Sequence, residues 1–163
     1  MKRFLLFLVC VIAFSFSVSA AENPVAANSN ALVSAAKQVV NEITPQELYE
    51  MIKGKADFVL IDVRRKGEVD AAKIEAKDYY HVDRGLLEFL LPKMNIPTDK
   101  LIVTYCKVGG RGVLAAETLK RLGYEKVVNL KGGIKGWIEA GLPVTNSMGT
   151  FKMVPYELTG CAE

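Results

Sequence analysis

Three short, mainly apolar runs, two of them followed by a stretch of helical character, constrain this chain more than any other feature. They are Phe58-Val59-Leu60-Ile61, Leu101-Ile102-Val103-Thr104-Tyr105 and Val127-Val128-Asn129-Leu130. Runs of four or five apolar residues without alternation fit strands buried on both faces, which occur in parallel sheets. After Leu101–Tyr105 comes Gly112 to Leu122, with helical composition and Gly123 placed as a C-cap. After Val127–Leu130 comes Gly132-Gly133, opening a helix through Trp137 to Ala140, ended by Gly141 with Pro143 beyond. Strand–helix alternation of this kind predicts an α/β fold, a mostly parallel sheet with helices on both faces. Ligands in such sheets bind beyond the carboxyl ends of the strands.

One of those ends carries Cys106-Lys107-Val108-Gly109-Gly110-Arg111, with Gly112 next. A cysteine between a strand and a helix N-terminus, in a glycine-containing loop, sits where backbone N–H groups converge. Such a cradle binds anions and favours a thiolate over a thiol. Lys107 and Arg111 add positive charge, and Gly109 and Gly110 let the backbone turn its amides inward. Cys106 is therefore the candidate nucleophile. A buried structural cysteine is common, but it has no need of two glycines and an arginine in the next five residues.

Spacing narrows the chemistry. Four residues lie between Cys106 and Arg111, whereas cysteine phosphatases place five there, a loop wide enough for a tetrahedral phosphate. The smaller ring suits one added sulfur atom on Cys106. A thiol phosphatase or arsenate reductase is the competing enzyme class.

Elsewhere, Thr44-Pro45-Gln46-Glu47 reads as a helix start with a capping box, followed by a buried stripe of Leu48, Met51 and Ile52 and a stop at Gly54. Residues 65–80 read as charged loop with one turn of helix at most. His81-Val82-Asp83 suits a short edge strand, and Gly85 to Leu91 a helix that stops at Pro92. Trp137 is expected in the core.

At the N-terminus, Met1-Lys2-Arg3, an apolar stretch from Phe4 to Val18 and Val18-Ser19-Ala20 have the layout of a secretory signal peptide over residues 1–20. The apolar stretch is about 15 residues, short of the ~20 that span a bilayer, so no stable membrane anchor is expected after cleavage. The expected location is outside the cytoplasm, the periplasm in a bacterium. Loss of Lys2 and Arg3 lowers the formal net charge from +3 to about +1. A nearly neutral chain argues against nucleic acid as a partner. Residues 21–42, rich in Ala, Asn and Ser, read as a linker or frayed helix, and 146–163 as a C-terminal tail that wraps the domain or trails from it. Cys106 and Cys161 are too few for a disulfide scaffold. Cys161 is incidental, pairs with a partner thiol, or resolves a persulfide on Cys106. His81 has no second histidine or cysteine at ligand spacing, so no metal or other cofactor is expected.

The pattern Cys-x-x-Gly-x-Arg at Cys106, Gly109 and Arg111 resembles the rhodanese family of sulfurtransferases. Three further stretches are similar to it: Leu60-Ile61-Asp62-Val63-Arg64; His81 to Phe89; and Gly132 to Trp137 with Ala140 to Val144. Together they cover residues 43–145. The resemblance implies a three-layer rhodanese-like fold and a sulfur transfer through a Cys106 persulfide. The donor would be a small sulfur anion such as thiosulfate, the acceptor a thiol or cyanide, with a thiol-redox protein as a further partner. It also implies supporting roles for Asp62 and Arg64 in ordering the loop; Arg84, read by its charge alone, is a candidate for attracting an anionic donor. A structural ion pair is the plainer role for Asp62 and Arg64, and a solvated surface position for Arg84. A persulfide carrier with little turnover is the other role open to the fold. One segment departs from the family: Ala72-Lys73-Ile74-Glu75-Ala76-Lys77 stands where members carry glycines and a histidine.

Overall fold

The structure, a computed structural model, describes residues 23–153. Residues 1–20, expected to be a signal peptide, and Cys161 lie outside them. The centre is a five-stranded parallel sheet of β1 (Asn41–Ile43), β2 (Phe58–Asp62), β3 (Tyr79–His81), β4 (Leu101–Tyr105) and β5 (Lys126–Leu130), in the order β1-β5-β4-β2-β3. The three apolar runs are its three central strands.

Helices cover both faces, so the α/β class holds. Along β2 the side chains alternate. Val59 and Ile61 face the core shared with α1 (Pro24–Val39) and α5 (Gly110–Arg121), whereas Phe58 and Leu60 face the core shared with α2 (Pro45–Lys53) and α6 (Gly133–Glu139). That two-way burial is why the runs lack a polar alternation. Trp137 is buried in the second core, its Nε1–H donating to the Pro143 carbonyl at 2.8 Å.

Local signals explain the element ends. Thr44 caps α2 by accepting from Glu47 N–H at 3.2 Å, while the Glu47 carboxylate accepts from Thr44 N–H at 2.7 Å. Those bonds lower the Glu47 pKa. The chain between β2 and β3 holds a six-residue helix, α3 (Lys66–Ala71). The edge strand lies two residues earlier than expected, at Tyr79–His81. Gly85 to Leu91 is not one helix. A 3-10 turn at Arg84–Leu86 leads into α4 (Leu87–Leu90), and Pro92 sits inside a second 3-10 turn, Leu91–Lys93. The missing proline N–H removes nothing from a turn that short.

Two boundaries need correction. Of the two readings of the stretch before residue 43, the helical one holds and the linker does not: residues 23–43 contain a 16-residue helix and the edge strand β1, with Ala36 and Val40 buried against the domain. Nor does the domain end at 145. Strands β6 (Val144–Asn146) and β7 (Gly149–Phe151) form an antiparallel hairpin, tied to the body by paired backbone bonds between Thr145 and Lys73. Short apolar spacing and a helix poor in charge hid both elements. No helix among the described residues is long and apolar enough to cross a membrane.

Candidate active site

Cys106 follows β4 directly and carries a free thiol, with the residue only 1% exposed. The Gly109 N–H donates to its Sγ at 3.2 Å. That contact requires a backbone most residues avoid: Gly109 has φ +103° and is the N-cap of α5. The next amides, of Gly110, Arg111 and Gly112, open the helix, where N–H groups have no partner within the helix itself. Lys107 and Val108 form the exposed outer part of the loop, Val108 being 60% exposed.

The loop is held from beneath by polar residues in otherwise apolar strands. Thr104 Oγ1 donates to the Gly112 carbonyl at 3.0 Å. Asn129 is fully buried; its Nδ2 donates to Glu42 at 2.7 Å and to the Gly109 carbonyl at 3.5 Å. A β-carbon on Gly112 would stand 2.2 Å from Asn129 Oδ1, so glycine is required for the approach. From the side, Ile134 N–H donates to the Cys106 carbonyl at 2.8 Å and Lys135 N–H to the Lys107 carbonyl at 3.0 Å. Gly133, at φ +59°, makes that contact possible, since a β-carbon there would lie 2.4 Å from the Cys106 carbonyl oxygen.

Arg111 does not stand free beside the thiol. Its two terminal nitrogens donate to Glu68 at 2.8 and 2.9 Å, a two-bond pair that pins α3 to the start of α5. The hydrogen bond from Arg111 pulls the Glu68 carboxyl down to about 2. Glu68 raises the Arg111 pKa in turn. The pair is mutual, and it makes Arg111 a brace more than a source of unpaired charge.

Asp62 and Arg64 form a buried pair at 2.6 Å. Arg64 also donates to the Glu68 and Ala72 carbonyls, at 3.0 and 2.7 Å, so it holds the middle of α3 and its C-terminal cap. Burial works against the Arg64 charge, but Asp62 outweighs it and the pKa is raised. Tyr79 Oη donates to Asp62 at 3.4 Å, and Tyr105 Oη accepts from Ile74 N–H at 3.3 Å. Burial, reinforced by the Asp62 charge, pushes both phenols up. His81 Nε2 lies 2.7 Å from the Arg64 carbonyl, which gives that ring a bond within the domain. A chain of contacts thus runs from Asp62 through Arg64, α3 and Glu68 to Arg111 and the loop.

Arg84 is not part of it. Its guanidinium donates to Glu88 at 3.0 Å and to Thr118 Oγ1 at 2.9 Å. Thr118 is eight residues beyond Gly110, about 12 Å down α5 from the cradle. The structure therefore ties Arg84 to Glu88 and Thr118 rather than to the loop. Glu68, Thr104, Asn129 and Gly133 are the residues that sequence reasoning missed. Thr104 and Asn129 did leave a signal, because a polar residue inside a doubly buried strand needs a partner.

A buried cysteine beside a helix N-terminus, at the carboxyl end of a central parallel strand, defines the class: an α/β protein with a compact cysteine loop. Residues 44–140 match the rhodanese-like domain, and the chain belongs to that family. A sulfurtransferase of Allochromatium vinosum is 33% identical over 106 residues, 65% of this chain and 95% of the relative. The thiosulfate sulfurtransferase GlpE of Glaesserella parasuis is 27% identical over 108 residues, 66% of this chain and 95% of its own length. Among solved structures, the polysulfide-sulfur transferase homodimer of Wolinella succinogenes superposes with a TM-score of 0.63 at 32% identity, covering 83% of this chain and 95% of that one. The family is one of sulfurtransferases, working between sulfur donors and thiol acceptors.

Proposed function

We propose that the protein transfers a sulfane sulfur through a persulfide on Cys106. The carrying observation is the Gly109 N–H placed 3.2 Å from Sγ, in a loop of four residues before Arg111. In the first step the Cys106 thiolate attacks the outer sulfur of thiosulfate or a related anion. A Cys106–sulfur bond forms, the donor's sulfur–sulfur bond breaks, and sulfite leaves with the electron pair. In the second step an acceptor thiolate or cyanide attacks the outer sulfur, and the Cys106 thiolate leaves. The amides from Lys107 to Gly112 stabilise the anionic outer sulfur. Arg111, tied to Glu68, holds the loop at this width, and Asp62 with Arg64 anchors α3 behind it.

The reading includes export, directed by residues 1–20, and in a bacterium the periplasm, where a thiol-redox partner would keep Cys106 reduced. It also includes a two-copy assembly, after the Wolinella homodimer. Ping-pong kinetics with thiosulfate and cyanide, abolished in Cys106→Ala, are the expected result. Full activity in that variant overturns the mechanism. One sulfur taken up without repeated turnover replaces the enzyme by a carrier. Hydrolysis of a phosphomonoester without sulfur uptake replaces it by a phosphatase.

A further inference from the structure

The edge strand β1, Asn41–Ile43, precedes the stretch that matches the family, which begins at residue 44. It nevertheless reaches the cysteine loop. In the parallel register Glu42 stands opposite Asn129, and Asn129 Nδ2 donates to Glu42 Oε1 at 2.7 Å. Glu42 is an exposed residue, whereas the amide it receives is fully buried. Glutamate is disfavoured in strands, and a three-residue strand needs no carboxylate to pair with β5.

The carboxylate decides which way the amide faces. The oxygen and nitrogen of an asparagine exchange places by a half-turn, so Asn129 has two ways to lie beneath the loop. A carboxylate only accepts, and it therefore admits Nδ2 alone. The flipped amide would set Oδ1 against Glu42 and the Gly109 carbonyl, three acceptors with no hydrogen between them. The remaining contacts are too long to fix the amide by themselves. Nδ2 is 3.5 Å from the Gly109 carbonyl oxygen, and Oδ1 is 3.5 Å from the Thr104 hydroxyl. The short bond to an ionised acceptor is the strong one.

That orientation matters because the amide is the floor of the loop. A β-carbon on Gly109 would lie 3.8 Å from Nδ2, and one on Gly112 would lie 2.2 Å from Oδ1. The amide thus lies against both ends of the span from Gly109 to Gly112. Gly109 is also the residue whose N–H donates to Cys106 Sγ at 3.2 Å. An amide free to turn would drive an atom into this span and shift the donor that faces the sulfur.

We infer that Glu42 is a positioning residue for sulfur transfer: its carboxylate fixes the Asn129 amide, and the amide fixes the loop from Gly109 to Gly112. This rests on the sulfur transfer proposed above and goes beyond it by assigning a role to a strand outside the matched stretch. Glu42 acts through Asn129 and touches neither Cys106 nor the donor.

Single-turnover sulfur uptake from thiosulfate, followed by intact mass at a series of thiosulfate concentrations, tests the role. In Glu42→Ala the limiting rate falls at least ~10-fold, as a sub-ångström displacement at the reacting atom would produce. The concentration giving half the limiting rate stays within about twofold, because no donor contact is removed. Glu42→Gln, whose side-chain oxygen accepts the same bond, keeps the native rate within about twofold. In an Asn129→Ala background Glu42→Ala adds less than about twofold, since the two act as one unit. Val40→Ala loosens the buried joint between α1 and β1, so it lowers Tm while uptake keeps its rate. Native uptake in Glu42→Ala overturns the role, as does Glu42→Gln as slow as Glu42→Ala, or Val40→Ala slowed as much. Each of those results leaves the sulfur transfer itself standing. A native protein that takes up no sulfur from thiosulfate or polysulfide overturns the transfer, and the positioning role with it.

Discussion

Replacing Gly133 by alanine tests how the loop is held, because the substitution acts on the backbone of the nucleophile itself. Gly133 has φ +59°, and an added β-carbon would lie 2.4 Å from the Cys106 carbonyl oxygen and 2.9 Å from the carbon and oxygen of the Lys107 carbonyl. Relief to ordinary contact, which begins near 3.4 Å, takes a displacement of about 1 Å. Both carbonyls accept hydrogen bonds, from Ile134 at 2.8 Å and Lys135 at 3.0 Å, and neither bond survives that displacement. Each lost bond costs about 1 kcal/mol. The left-handed conformation costs alanine a further ~1–2 kcal/mol. The total is about 3–4 kcal/mol, or a fall in Tm of roughly 9–20 °C for a domain of this size. The sulfur moves with its backbone, and a ~1 Å misplacement of a reacting atom costs up to ~100-fold in rate. Gly141→Ala is the control: φ is +69°, but nothing lies within 4 Å, so only the conformational cost of ~1–2 kcal/mol remains and sulfur uptake keeps its rate. Thermal unfolding and stopped-time mass spectrometry of sulfur uptake read the two effects. Equal stability and equal uptake in the two variants would refute this account of the loop.

Other expectations follow from the same contacts. Asp62→Ala leaves Arg64 charged at 3% exposure without its carboxylate and should cost about 3–5 kcal/mol in urea unfolding. Arg84→Ala should leave the rate of sulfur uptake within about twofold, since its partners are Glu88 and Thr118 and removal of a distant surface contact changes little. The Glu68 carboxyl is lowered to about 2 in the folded protein, so its tie to Arg111 stabilises in full above the ordinary carboxylate range. That contribution is lost as pH falls from about 4.5 through 2, and the stability gap between the native protein and Glu68→Gln should close over that window.

The central strands and the position of the cysteine loop were legible in the sequence because both rest on local patterns. Leu101 to Tyr105 reads as a strand because it is apolar but for Thr104, and Cys106 is exceptional because of the glycines that follow it. The braces were not legible because they depend on which distant segments meet. Glu68 lay in a charged stretch with nothing to mark it as the partner of an arginine 43 positions on. Gly133 read as a helix opener, which it is, but its need for left-handed backbone against the Cys106 carbonyl is a tertiary fact. Arg84 misled for the opposite reason: it stands in a family-like segment, yet its side chain lies along α5, away from the cradle. The helix at Pro24–Val39 was hidden by composition. Its buried face is only Val33, Ala36 and Val40 with their neighbours, too narrow a stripe to separate a helix from a linker.

The most direct test of the central claim is the intact mass of the reduced protein before and after thiosulfate, with Cys106→Ala in parallel. The account predicts a gain of about one sulfur atom (~32 Da), removed by cyanide and absent in the variant, as expected of a persulfide on a nucleophilic cysteine. A gain that persists in Cys106→Ala would contradict it.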